Sequence, residues 1–477
     1  MESVWHKIKL NFSVVVICMC MPLLLWAVNG ILPTHDDWAT LTRPTFEPLF
    51  IKERWLFYGY HWRPFDSFFG YILGLNPSLI YPTLNHCCVV IGHVLNSCLV
   101  YYILKSMKFH HVAINIATLY FFISPATMAT VSAVDSMNQI YSLFWGMVAF
   151  IVYIKTTKAK YVIWIITLVI ATLCKENGLM WALICPLLAY GFGGISWRIL
   201  RRDLIVAMIF MVVYALLILF LPSNIIIANS YVPEVIKSVH NFIKFLFTSF
   251  ITIDYIYLLH KPSRNLPLAF LSMIPTIPFF YFVFIHHGKL FMEKQMLCVI
   301  ICLLIAVAPH VFTVFSMMHT YAGLSLMAVM IAYSLNKYDV CHKIVACSFV
   351  LYALAAIIIN IHLIDSSIKS SIIGKQMAQE AIRKTGEPVK SAYVIIIEDD
   401  YPKLSSFCVI PSEAFGWGHA TRYETNYQWP EIISDTTITR TPDAMIQARN
   451  LAHEALYKQQ YDCSWIVNHQ DIEVIKK

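Results

Sequence analysis

The sequence predicts an α-helical polytopic membrane protein that ends in a small extracytoplasmic α/β domain. Three observations predict it. Of 477 residues, 58% are hydrophobic and only 13% charged, with a mean hydropathy of +0.63, which excludes an ordinary soluble globular chain. Apolar runs near the ~20-residue length of a bilayer crossing recur as far as residue 361. Beyond about residue 365 the composition turns to that of a soluble protein. The boundary is therefore set between a membrane domain over 1–363 and a small domain over 364–477.

Counted by the helix-length rule, the membrane domain holds about eleven spans, similar in number to large polytopic enzymes. The first run, 10–32, follows Lys7 and Lys9 and lacks a small-residue cleavage site, so it reads as a retained signal anchor leaving the cytoplasm. The loop after it mixes charge with aromatic residues (Arg43, Glu47, Lys52, Tyr58 to Asp66), which suits short helices on the membrane surface. Span two, 82–104, carries His86, His93 and Asn96; the two histidines are seven apart and share a helical face. Polar groups at membrane depth face the bundle interior. Spans over 112–124 and 140–154 flank an outer loop with Asp135, Asn138 and Gln139, and 161–173 leads out to Cys174-Lys175-Glu176-Asn177-Gly178.

Segment 179–190 returns to Arg198, Arg201 and Arg202, the strongest cytoplasmic marker, and 204–221 leaves again. The segment 235–259 is broken by Lys237, His240, Lys244 and Asp254, so it is laid on the outer leaflet rather than across it. Spans over 267–285, 296–308, 322–335 and 344–361 then carry the tail outside. In the tail, 370–385 reads as an amphipathic helix, 391–397 as a buried strand, 442–459 as a helix and 464–467 as a last strand. It has no phosphate-binding glycine loop and no nucleophile elbow, so its expected role is accessory.

The net charge of +7 lies in short loops and reports topology; it gives no sign of a nucleic-acid partner. Most of the 13 cysteines sit in apolar runs as small hydrophobes, and a disulfide between Cys408 and Cys463 is left open. The tryptophans 5, 26, 38, 55, 62 and 181 read as interfacial anchors rather than a sugar-stacking platform.

On this topology the pairs Asp36 and Asp37, Arg63 and Asp66, and Lys175 and Glu176 all meet the outer face. A site that deprotonates an acceptor and holds a phosphate leaving group needs a base and cations on one side. These residues suggest transfer from a lipid-linked phosphate.

The order of motifs resembles membrane glycosyltransferases of the GT-C fold, in the group of protein O-mannosyltransferases and bacterial polyprenyl-phosphate-sugar enzymes. The motifs are the acidic pair after span one, Arg63-Pro64, His86-x6-His93-x-Leu-Asn96, Pro125 before a polar loop, and Cys174-Lys175-Glu176-Asn177-Gly178. The resemblance covers residues 1 to about 340. It implies an inverting, hexosyltransferase-like enzyme whose donor is a polyprenyl- or dolichyl-phosphate sugar and whose acceptor is a glycan, lipid or protein outside the cytoplasm. Asp36 or Asp37, with a slight preference for Asp37, would be the general base; Arg63 and Lys175 would neutralise the departing phosphate and Glu176 would orient Lys175. His86, His93, His319 and Tyr321 are the candidate substrate-binding residues, although both span-two histidines also read as interhelical hydrogen-bond partners. Where the family carries a Glu-Arg-x-Tyr element, this chain has Met318-His319-Thr320-Tyr321; either His319 takes the cationic role or the resemblance ends there. No cofactor is implied beyond the lipid-phosphate-sugar substrate, and two carboxylates without a third fixed ligand leave a divalent metal open.

The expected location is a multi-pass position in the membrane, the bacterial plasma membrane ahead of the endoplasmic reticulum. A lipid-linked oligosaccharide polymerase or ligase would want paired arginines in the last outer loop, and 309–321 has none. A transporter would carry charge at the midplane of inverted halves, whereas charge here gathers at one surface.

Overall fold

A computed structural model describes residues 11–34, 36–42, 63–74, 82–155, 159–220, 235–250, 273–285, 289–311, 316–337 and 342–397, and in the tail 415, 418–425, 428–429, 433–458, 461–468 and 471–477. Among the described residues, every regular element up to residue 385 is helical. Helix α1 (Phe12–Val28) is followed by a short α2 (Asp36–Thr42) and by α3 (Pro64–Gly74). Then come α4 (Pro82–Ser106), α5 (His111–Ile123), α6 (Pro125–Val131) and α7 (Met137–Lys155). After α8 (Lys160–Cys174), a 3-10 turn (Glu176–Met180) leads into α9 (Trp181–Gly191) and α10 (Trp197–Phe220). Four further apolar or amphipathic helices complete the bundle: α11 (Val235–Phe250), α12 (Met273–Phe284), α13 (Lys294–Val311) and α14 (Tyr321–Lys337).

Among the described residues, four helices are long and apolar enough to cross a membrane, or five if α5 and α6, bent by 49° where Pro125 starts a new helix, form one broken span. Four shorter apolar helices, α1, α8, α12 and α13, stand beside them. Most of the expected spans coincide with helices to within about four residues; that over 204–221 belongs to a helix starting at Trp197, residues 267–272 lie outside the described residues, and the described helices do not establish eleven crossings. Segment 235–259 is described as far as residue 250, where α11 buries Asn241, Phe245, Thr248 and Ser249 and exposes Val239 and Ile243. Helix α14 is buried along nearly its whole length and forms the centre of the bundle.

The last helix, α15 (His342–Thr385), departs from expectation. The final span and the amphipathic helix of the tail are one continuous element of 44 residues. Nothing between them breaks helical propensity, since neither Gly nor Pro falls between Ala346 and Ile373. The boundary at 363/364 thus falls inside a rigid rod. Its first half packs on α5, where Asn360 donates to the Ile123 carbonyl at 2.8 Å, and its second half enters the C-terminal core.

That core surrounds a four-stranded sheet of β1 (Ala392–Ile397), β2 (Ile433–Ile438), β3 (Cys463–Asn468) and β4 (Asp471–Lys476) in the order β2-β1-β3-β4. Strand β1 is parallel to β2 and β3, and β4 closes the sheet antiparallel to β3. A central parallel strand is covered on both faces, which is why β1 reads Ala-Tyr-Val-Ile-Ile-Ile without polar alternation. Helix α17 (Ala444–Lys458) covers one face against Ile395, Ile397 and Ile466; the end of α15 covers the other against Val394, Ile396 and Trp465. Between them in sequence lies α16 (His419–Glu424). Cys463 is a free, buried thiol, and Cys408 lies outside the described residues.

Candidate functional site

The exit of α1 is tied down at both sides. The Leu32 N–H donates to Ser371 on α15 at 3.1 Å, and Gly30 lies against Ile368, where a Cβ would meet its side chain at 3.0 Å. The chain then turns into α2, whose first residues are Asp36 and Asp37. Asp37 is 1% exposed; one carboxylate oxygen accepts the Asp135 N–H at 2.7 Å and the other the Thr34 N–H at 3.3 Å. Two backbone donors on one buried carboxylate fix its direction. Asp37 therefore clamps the loop before α7 to the start of α2, and Thr40 adds a hydrogen bond to the Asp135 carboxylate. Asp36, beside it, is half-buried.

Trp38 points the other way. It is 3% exposed, packs with Met377, Phe415, Trp429 and Trp465 in the C-terminal core, and meets the Tyr423 ring at 5.5 Å. The expectation of an interfacial anchor is corrected here: the indole is enclosed by apolar and aromatic side chains of the C-terminal core. Trp181 is likewise buried, its ring filling the space that a Cβ on Gly146 would need, whereas Trp26 is 78% exposed and fits the anchor reading. Trp5, Trp55 and Trp62 lie outside the described residues.

The cations come from α3 and from the turn after α8. Arg63 forks onto Glu176, with Nε to Oε2 at 3.0 Å and Nη2 to Oε1 at 2.9 Å; their side chains are 16% and 36% exposed. Glu176, expected to orient Lys175, thus holds Arg63. Lys175 is 8% exposed and donates to Asn138 at 3.2 Å, one turn along from Asp135. Asn177 continues the same seam, bonding Gln139 and Ser142. The turn depends on Gly178: a Cβ there would stand 2.4 Å from the backbone of Ala171. Asp66 lies on α3, and its side chain is outside the described residues.

Two imidazoles complete this end of the bundle. His310, near the end of α13, stacks on His319 with ring centroids 4.4 Å apart and an interplanar angle of 11°. The charges of Lys175, Glu176 and Arg63 act on His310, and those of Lys175 and Arg63 on His319. His319 is held as the last residue of a capping box, its Nδ1 accepting the Ser316 N–H at 3.3 Å. Thus Asp37 and Lys175 meet one short stretch through Asp135 and Asn138, the Arg63–Glu176 pair adjoins Lys175, and the charges of Lys175 and Arg63 reach His319.

His86, His93 and Tyr321 stand deeper. His93, fully buried, donates from Nε2 to the Phe122 carbonyl at 3.1 Å, which leaves Nδ1 to accept from the Tyr321 hydroxyl at 2.9 Å. The same hydroxyl accepts from Asn96. His86 donates to the Ser132 carbonyl at 3.1 Å. These bonds join α4 to α5, α6 and α14, as interhelical partners do.

Sequence reasoning passed over His310, an unremarkable histidine in an apolar run, and it named Asp135 and Asn138 only as loop residues. The signal that could have found them is that their loop and the one bearing Lys175 are expected at the same end of the bundle. Among the described residues, no group of three or more His, Cys, Asp or Glu side chains stands close enough to hold a metal ion.

Chemically, the end offers carboxylates that can take a proton beside cations that can hold an anion. No family model matches the chain, and no curated protein does. Solved structures with some likeness include ArnT from Cupriavidus metallidurans bound to undecaprenyl phosphate, at 11% identity over 97% of this chain and 98% of that one, TM-score 0.47. Another is the oligosaccharyltransferase of Archaeoglobus fulgidus in its apo form, at 14% identity over 97% of this chain and 69% of that one, TM-score 0.47. A third is AglB from the same organism with an inhibitory peptide and a dolichol-phosphate, at 14% identity over 100% and 74%, TM-score 0.42. Likenesses at such TM-scores carry no part of the functional reading, which rests on the geometry above.

Proposed function

We propose that this chain is an integral-membrane glycosyltransferase that moves a sugar from a polyprenyl- or dolichyl-phosphate donor to an acceptor hydroxyl outside the cytoplasm. The observation that carries the reading is the convergence of an acidic pair, a forked arginine, a buried lysine and two imidazoles where α1, α8 and α13 end. A site at helix ends suits a substrate whose phosphate lies at the headgroup level while its chain stays in lipid.

The remaining charge supports the orientation. Helix α7 rises about 28 Å from Met137, beside Asp135, to Lys155. Lys155 shares its end of the bundle with Arg198, Arg201 and Arg202, and a basic end is the cytoplasmic one. The acidic pair then faces outward.

In the reaction, a carboxylate takes the proton of the acceptor hydroxyl as its oxygen bonds the anomeric carbon. The bond from that carbon to the lipid phosphate breaks, and the phosphate leaves with the electron pair. Inversion follows from this single displacement. The base is one of the acidic pair, Asp36 or Asp37; Asp37, whose two oxygens accept backbone hydrogen bonds, also positions the loop. Arg63 and Lys175 neutralise the phosphate, and Glu176 keeps the Arg63 fork in one orientation. His86, His93 and Tyr321 serve as struts between helices.

The test is transfer from a panel of polyprenyl-phosphate sugars by the purified full chain, with single Asp36→Asn and Asp37→Asn variants. Loss of a general base costs ~10²–10⁴ in rate, so one of the two single variants should lose transfer at unchanged fold. Near-wild-type turnover by a double Asn variant would end the reading.

A further inference from the structure

The cytoplasmic end of the bundle holds a second polar construction, roughly 22 Å along α8 from Lys175. At its centre is Asp203 on α10, with no exposed surface. Its carboxylate accepts from the Tyr153 hydroxyl at 2.5 Å, the Tyr161 hydroxyl at 2.9 Å and Arg202 Nε at 3.0 Å. Arg202 also donates through Nη2 to the Tyr161 hydroxyl and lies over that ring at 5.3 Å. Lys160 sits 3.7 Å from the Tyr153 ring centroid.

Arg202 is therefore not a mobile arginine reaching for water. Two hydrogen bonds and an aromatic face hold its guanidinium in one orientation, yet its side chain is 60% exposed. Arg198 precedes it by one helical turn, Arg201 adjoins it, and both are exposed. Arg202 and Lys160 lie beside the Asp203 carboxylate, and Arg198 and Arg201 lie within one turn of it on α10, so among the described residues the corner keeps a positive excess. A pre-oriented guanidinium fork with flanking cations recognises a phosphodiester.

The surroundings name the source of that phosphodiester. Helices α8 and α10 continue from this corner into the bilayer with exposed apolar side chains, Val162 and Ile166 on one and Ile205 and Ile209 on the other. Trp197, 56% exposed and tilted against Tyr190, marks the headgroup level. A soluble anion uses none of this apolar surface, whereas an acyl chain does.

We infer that the corner formed by Tyr153, Tyr161, Arg198, Arg201 and Arg202 is a binding site for the headgroup of an anionic phospholipid of the cytoplasmic leaflet. The site stands independently of the reaction proposed above. It would hold α8 and α10 together at the end opposite the acidic pair.

Thermal unfolding of the full chain in detergent micelles tests it, with phosphatidylglycerol, phosphatidylcholine or water-soluble glycerol phosphate added. Phosphatidylglycerol should raise Tm above the level given by phosphatidylcholine, and glycerol phosphate should leave it unchanged. Each basic contact to an anionic membrane lipid contributes about fivefold in binding, so Arg198→Gln with Arg201→Gln should raise the half-saturating lipid concentration about thirtyfold. Those two substitutions leave the Asp203 bonds intact. Arg202→Lys, which keeps the charge and loses the fork, should also weaken the response. Equal responses to the two lipids, an undiminished response in the double variant, or a response to glycerol phosphate matching that to phosphatidylglycerol would each overturn the assignment.

Discussion

Replacing Trp38 by Ala separates the acidic pair from the C-terminal domain without touching either aspartate. Trp38 is 3% exposed among Met377, Phe415, Trp429 and Trp465, while its neighbour Asp37 is bonded to Asp135 on the membrane side. A buried indole removes about 200 Å² from water, worth about 5 kcal/mol at ~25 cal/mol per Å². Trp-to-Ala changes in cores cost about 3–5 kcal/mol. That contact joins α2 to the tail, so the loss falls on the docking of α2 and lowers its docked-to-undocked ratio by roughly 10² to 5 × 10³. Hydrogen exchange of the amides of residues 36–42 reads the ratio directly. Exchange should accelerate by that factor in Trp38→Ala and by much less in Trp38→Phe, with transfer falling in parallel. Unchanged exchange over 36–42 in Trp38→Ala would refute the coupling, and unchanged transfer despite accelerated exchange would refute its importance for the reaction.

Three further outcomes follow from the same geometry. Gly178→Ala should lower stability by about 1–3 kcal/mol, because its Cβ would meet the Ala171 backbone at 2.4 Å; calorimetry together with donor binding should report a displaced Lys175-Glu176 turn. Tyr321→Phe removes the hydroxyl shared by His93 and Asn96 and should cost about 1–3 kcal/mol in unfolding with donor affinity unchanged; weakened donor affinity at unchanged stability would return His93 and Tyr321 to the substrate. In the C-terminal domain, the hydrogen bond from Lys384 holds the Asp471 carboxyl below its ordinary range. A depressed carboxyl contributes stability above its unfolded pKa of about 3.9 and loses it as pH falls through the folded value. The Tm gap between wild type and Lys384→Met should therefore be small, constant from neutral pH down to about pH 5, and closed in stronger acid.

The sequence by itself determined the membrane class, because apolar runs of bilayer length leave a chain no other solvent. It also placed most helix ends, since the turn from apolar run to Lys, Pro or Gly is local. That the segments bearing Asp37 and Lys175 reach the same end of the bundle was legible for a related reason: helix lengths decide which end a loop meets. Who bonds whom was not. Glu176 stands next to Lys175 in sequence but holds Arg63, 113 residues away, because a 3-10 turn swings adjacent side chains apart. His310 entered the site only when α13 and the turn at Met317–Thr320 were packed together. Trp38 gave no sign of its destination, since an aromatic residue at a membrane exit suits a headgroup and a protein core equally. Only the tertiary structure could choose, by carrying α15 unbroken out of the membrane and bringing the C-terminal sheet to rest on the helix that bears the acidic pair.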